Sequence, residues 1–265
     1  MPPFWEEVVL LTEMLLDRVQ QNLGRLHFSR APEVLPDLLA RAERESLSPL
    51  TVIDQLLEDE VAFKEDRRIA SVLKLASLPF VKTIDEYDFT FHPEIDRPRI
   101  MSLFDLTFLT RKENVLLLGP PGVGKTHLAV ALAVKAAHAG TSIYFTTMAD
   151  LVAKLKTDES SGRNTNARSY HKAGLVVVDE VGYTPVDRKE CYLFFRFVSR
   201  RYEHASLVIT SNKAFHEWTE LFEDPVLVTA LLDRLLHHSV IITIKGQSYR
   251  LKGKLAQTRK TDAET

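Results

Sequence analysis

The chain has 265 residues, 45% of them hydrophobic and 26% charged, an ordinary globular composition with room for one large domain and a smaller one. No apolar run approaches the ~20 residues a membrane helix needs, and the apolar start "MPPFWEEVVLLTEMLL" lacks the basic leader of a signal peptide, so a cytoplasmic location is expected. The net charge of −2 hides an asymmetry: residues 1–97 carry 11 Lys/Arg against 19 Asp/Glu, and residues 98–265 carry 23 against 17, so an anionic partner is expected to meet the second half. The single cysteine, Cys191, lies in the apolar run "CYLFFRF" and reads as a buried thiol of a reducing compartment.

In chain order, residues 1–80 read as a helical domain. "LPDLLARAERES" is a short helix. A longer one starts with Ser48 as N-cap and Pro49 at the first helical position, with Leu50, Ile53, Leu56, Leu57, Val61, Ile69, Val72, Leu73 and Leu75 at three- and four-residue spacing, and Pro79 as its stop. Residues 81–100, punctuated by proline, are expected to be a linker. From 101 to 255 the pattern changes to short, fully apolar strands ("NVLLLG", "SIYFTT", "GLVVVDE", "SLVITSN", "SVIITIKG") alternating with helices ("KTHLAVALAVKAAHAG", "MADLVAKLKT", "DRKECYLFFRFVSRRYEH", "DPVLVTALLDRLLHH"). That alternation predicts an α/β domain with a parallel sheet covered on both faces. Residues 256–265 are expected to be a frayed tail.

"GPPGVGKT" follows the first of these strands and opens a helix, the context in which G-x-x-x-x-G-K-[ST] is a phosphate-binding loop. Glycines let the backbone curl until its N–H groups converge on phosphate oxygens, and the helix that follows adds its positive end. Gly119, Pro120, Pro121, Gly122, Val123, Gly124, Lys125, Thr126 and His127 are the expected nucleotide-binding residues, Lys125 reaching the β- and γ-phosphates and Thr126 holding Mg²⁺. "LVVVDE" ends an apolar strand in two acids, a costly arrangement unless they meet a cation or water. Asp179 fits the Mg²⁺ carboxylate and Glu180 the group that polarises the attacking water. Asn212, at the end of "LVITSN", could orient the same water, although "TSN" is also good turn chemistry.

The segments "GPPGVGKTHLA", "VVVDEVGYTPVDR", "ITSN", "LLDRLLHH" and "GQSYRLK" together resemble the IstB and DnaC clade of AAA+ ATPases, and most closely the IstB-like ATP-binding helpers of transposable insertion sequences. The resemblance spans about residues 25–253. It implies Walker A at Lys125 and Thr126, Walker B at Asp179 and Glu180, sensor 1 at Asn212, an arginine finger for a neighbouring subunit at Arg234 and a sensor 2 arginine at Arg250. It also implies an AAA+ domain without a full lid domain. On sequence alone, Arg234 would be a surface salt bridge to Asp233 or Glu223.

Two basic clusters complete the reading. Lys154, Lys156, Arg163, Arg168 and Lys172 lie around a Ser/Gly/Asn-rich stretch expected to be a loop, and Lys, Arg, Ser and Asn are the side chains that hold DNA backbone. The tail "KGQSYRLKGKLAQTRK" reads equally well as solvated charge. No base-reading motif is present in the sequence, so contact with duplex DNA would be backbone-driven and salt-dependent. The expectation is a homo-oligomeric, DNA-stimulated ATPase using ATP and Mg²⁺, gripping duplex DNA and serving a transposase. The alternatives are a helicase loader of the DnaC type and a nucleotide-gated DNA scaffold with little hydrolysis.

Overall fold

The computed structural model describes residues 4–161 and 169–251. The chain divides at Ser71/Val72 into two compact units.

The first unit is helical: α1 (Phe4–Arg25), α2 (Ala31–Glu45) and most of α3 (Pro49–Leu75). The α1 segment, which lies within the expected helical region although no separate helix was delimited there, is a full helix. As expected, Ser48 Oγ accepts from Thr51 N and starts α3. The N-terminus of α2 is closed from a distance, because buried Glu60 of α3 accepts the backbone N–H groups of Ser29 (2.8 Å), Arg30 (2.6 Å) and Ala31 (2.8 Å). Burial works to raise the Glu60 carboxyl, but these donors outweigh it and hold the pKa below its ordinary value. Few apolar side chains are buried here. Leu50, Ile53, Leu57 and Val61 form one exposed stripe along α3, so over that part of the helix the periodicity does not mark a core, whereas Val72 and Leu73 near its end pack against the core of the second unit.

The second unit is α/β. Residues 81–100, expected as a linker, are built into it: short turns carry Tyr87 into the core, and α4 (Arg97–Ser102) buries Ile100. The aromatic and aliphatic content of "YDFTFHPEIDRPRI" decides this, since apolar side chains interleaved with turn residues gain more by docking on the sheet than by solvation. After α5 (Thr107–Thr110) come β1 (Asn114–Leu118), α6 (Lys125–His138), β2 (Ile143–Thr147), α7 (Met148–Ser161), α8 (Ser169–Lys172), β3 (Leu175–Val181), α9 (Arg188–Arg201), β4 (Ser206–Ser211), α10 (Phe215–Leu221), α11 (Pro225–His237) and β5 (Ser239–Thr243). The five strands are all parallel in the order β2-β3-β4-β1-β5.

Strand residues alternate between two cores. Val115, Leu117, Val177 and Val208 face α6 and the 84–110 segment, while Leu116, Val176, Val178 and Ile209 face α7, α9, α10 and α11. Helix α10 lies outside the expected elements; it buries Trp218 completely. Cys191 is buried on α9, and that burial pushes its thiol up to about 11. Among the described residues no helix is long and apolar enough to cross a membrane.

Candidate functional site

The loop between β1 and α6 needs its glycines. Gly119, Gly122 and Gly124 have φ of +146°, +81° and +93°. A Cβ on Gly124 would come 2.6 Å from the Tyr87 ring, and one on Gly119 or Gly122 would collide with the Ile244 carbonyl or the Ser248 hydroxyl. The loop is thus pressed between the 80–92 segment and the chain after β5. Tyr87 donates its hydroxyl to Val123 O (3.1 Å), and Tyr249 N donates to Gly122 O (2.8 Å).

Lys125 begins α6, is 6% exposed, and donates from Nζ to Gly119 O (2.7 Å) and Pro120 O (2.8 Å). Burial lowers its pKa to about 8; the Asp179 charge opposes that shift and the Arg250 charge assists it. Next to it, Thr126 Oγ1 lies 3.1 Å from both carboxylate oxygens of Asp179. A hydroxyl and a carboxylate side by side are the oxygen donors a hard divalent cation takes, so the residues present fit Mg²⁺.

Asp179 and Glu180 sit where β3 breaks register against β4, between Val178 and Val181. This break turns the two acids in different senses. Asp179 stays buried and accepts from Thr210 Oγ1, and the same hydroxyl accepts from Glu180 N at 3.0 Å. Glu180 is left exposed with a left-handed φ of +61°. Thr210 therefore orients both acids, a role that sequence reading missed; its only signal is a hydroxyl in an apolar strand, two residues before Asn212.

A cavity of about 540 Å³ brings these groups together. Lys125, Thr126, His127, Asp179, Glu180, Asn212 and Arg250 all line it, with Pro121 to Gly124 as its floor. Phe80, Lys82, Tyr87, His92, Tyr183 and Tyr249 also line it, and none of them was expected. Their aromatic rings and the open volume suit a flat heterocycle beside the phosphate loop. His127 ties the two walls, with Nε2 3.0 Å from Thr83 O and its ring 5.4 Å from that of Tyr87.

The remaining expected residues lie elsewhere. Arg234 does not line the cavity, nor does it pair with Asp233 or Glu223. It bonds Ser199 Oγ and places its guanidinium 4.4 Å from the Phe195 ring centroid, holding α11 to α9. Lys154 and Lys156 lie on helix α7, as expected from "MADLVAKLKT". Lys154 Nζ donates to Tyr144 OH at 2.8 Å, and Lys156 pairs with Glu190 at 2.7 Å and Asp187 at 3.6 Å. Lys172 is exposed on α8. Arg163 and Arg168 lie outside the described residues.

The profile of the family described as IstB-like ATP binding protein matches residues 21–257. An insertion sequence IS5376 ATP-binding protein of Geobacillus stearothermophilus is 42% identical over 245 residues, covering 92% of this chain and 98% of that protein. An insertion sequence IS21 ATP-binding protein of Pseudomonas aeruginosa is 47% identical over 235 residues, 88% of each. Among solved structures, DnaI superposes with a TM-score of 0.52 at 19% identity, covering 61% of this chain and 90% of that one. AMPPCP-bound DnaA of Aquifex aeolicus gives 0.53 at 18% identity, covering 68% and 56%. At those identities the structural likeness speaks for the fold alone, a parallel α/β core.

Proposed function

We propose that this chain, which belongs to the IstB-like ATP-binding protein family of insertion sequences, is a Mg²⁺-dependent ATPase that assembles on duplex DNA and delivers it to the transposase of its element. The observation that carries the reading is the convergence of Lys125, Thr126, Asp179, Glu180, Asn212 and Arg250 on one cavity. The ATP-binding helper role follows from the family; hydrolysis, DNA contact, oligomerisation and the transposase partner are the proposal.

In this reading the loop amides and Lys125 hold the β- and γ-phosphates. Thr126 and Asp179 hold Mg²⁺, which when bound neutralises charge on the phosphate oxygens. Glu180, exposed to the cavity, takes a proton from the attacking water, and Asn212 orients that water. Arg250 faces the phosphates from the other wall. Arg234, outside the cavity of its own chain, would serve a neighbour's; that requires it to leave Ser199 and Phe195. Lys172, with Arg163 and Arg168, carries the proposed backbone contact to DNA, because the charges of Lys154 and Lys156 already have partners in the chain.

The identities of 42% and 47% to insertion-sequence proteins favour this reading over a helicase loader. The test is ATP turnover with and without duplex DNA, alongside imaging of the protein with ATP and DNA. DNA-stimulated turnover by an oligomer, lost in Lys125→Ala together with nucleotide binding, is expected. Nucleotide binding without turnover would leave only the scaffold; turnover blind to DNA would remove the DNA step.

A further inference from the structure

The rim of the sheet where the strands begin carries a second cluster of ligand atoms, unconnected with the nucleotide cavity. Helix α9 ends at Arg201 and the chain reverses through Tyr202–Ala205 into β4; α11 ends at His237 and β5 starts at Ser239. Both junctions are fastened to the sheet by Asn114, the first residue of β1. Its backbone N donates to His238 O (2.8 Å), its Nδ2 donates to Leu235 O (3.2 Å), and its Oδ1 accepts from Leu207 N (3.0 Å). The groups at the two junctions are therefore held by rigid elements.

Glu203, His237 and His238 meet at this place. Each offers one ligand atom, and these atoms all lie within 4.8 Å of one another. The Tyr202 hydroxyl is 2.7 Å from His237 Nδ1 and fixes that ring, the kind of outer contact that orients ligating histidines. Asp233, one helical turn before His237, brings a negative charge near Tyr202, and Arg234 beside it a positive one. His238 Nε2 lies 3.7 Å from Glu203 Oε1, and the two imidazole rings meet edge to face with centroids 4.1 Å apart.

We propose that Glu203, His237 and His238 form a binding site for a divalent first-row transition ion, zinc or its substitutes cobalt and nickel. Two imidazoles and one carboxylate are a donor set for such ions and a poor one for magnesium, which demands oxygen. A ~2.1 Å coordination shell sets ligand atoms roughly 3.4 Å apart, so exposed side chains need close by only about an ångström. Three protein ligands leave positions for water. The ion would tie the α9–β4 turn to the α11–β5 junction, three residues beyond Arg234. Any effect on Arg234 rests on the proposed function; ion binding does not.

The test uses the full chain, stripped with chelator and titrated with Co²⁺ in the presence of millimolar Mg²⁺. Visible absorption reports coordination, and Zn²⁺ competes. One ion per chain is expected, undisturbed by Mg²⁺, with affinity at least about tenfold weaker in both Glu203→Gln and His238→Ala. Each variant should bind a fluorescent ATP analogue as the parent does, which shows that it is folded; Glu203→Gln keeps the exposed side chain's shape and is the safer of the two. Absence of Co²⁺ absorption, displacement by Mg²⁺, or equal affinity in both variants, with the ion then held elsewhere among the nine histidines, overturns the site. Failure of the parent to bind the ATP analogue would instead strike the proposed function and leave the cobalt result standing.

Discussion

Where the strands of the sheet end, the chain gathers Asp179, Glu180, Lys125 and Arg250 around a wide cavity, breaks the register of β3 and holds a non-glycine residue in a left-handed conformation. Where the strands begin, Asn114 closes three neutral hydrogen bonds, and buried Arg201 donates to the carbonyls of Tyr170, Ala173 and Ser206. Both rims belong to the same five strands and share the same two cores. The difference shows that burying polar groups is not itself a mark of function. At one rim Asn114 and Arg201 bond carbonyls and amides deep in the fold; at the other Lys125 and Asp179, though also bonded within the chain, line an open cavity.

The comparison breaks most readily at Glu180. Glu180→Gln should lower turnover by about 10²–10⁴ while leaving nucleotide affinity and stability nearly unchanged; turnover and titration on one preparation check both halves. Asn114→Ala should do the reverse. Removing its side-chain bonds leaves Leu235 O and Leu207 N short of a partner, and denaturant unfolding should show a loss of about 2–3 kcal/mol with nucleotide affinity kept. A large fall in affinity there would mean that the two rims are not separable.

Thr210 tests how much of the proposed catalysis at the cavity rim is positioning. Thr210→Val keeps the shape and removes the hydroxyl that orients Asp179 and Glu180. Turnover should fall about tenfold and the Mg²⁺ requirement should rise, with Thr210→Ser restoring both. An unchanged Mg²⁺ requirement would confine Thr210 to packing.

The smallest effect is in pH. Protonated Lys125 is the form that pairs with phosphate, so nucleotide affinity should fall severalfold as pH rises through about 8. Folding stability should move the other way. The lysine is freer to hold its proton in the unfolded chain, whose pKa is near 10.5, so the Lys125 contribution to stability rises between pH 8 and 10.5. Parallel trends in the two measurements would show that another group dominates one of them.

Much of the cavity rim was legible because its signals are local. "GPPGVGKT" lies between an apolar strand and a helix, and two acids close another strand. What stayed hidden depends on distant contacts. Tyr87 meets Val123, and Thr83 meets His127, across 36 and 44 residues, so the aromatic wall read as a linker. Lys156 finds Glu190 across 34 residues, so its charge read as free. Helix α10 spans only seven residues and mixes polar with aromatic side chains, too short for its period to stand out. The left-handed turn of Glu180 has no signature in "VVVDEVG", because nothing in a glutamate announces positive φ.

That turn has a bearing on how such chains change over time. A left-handed glutamate costs the fold roughly 1–2 kcal/mol relative to relaxed backbone, and glycine at the same place would lift that cost for about 0.5–1 kcal/mol of added chain entropy. The Glu180 side chain is exposed, so little packing goes with it. A copy drifting to Glu180→Gly would thus lose the carboxylate proposed to activate water and emerge slightly more heat-tolerant. Selection for robustness alone would run against keeping a glutamate at this position.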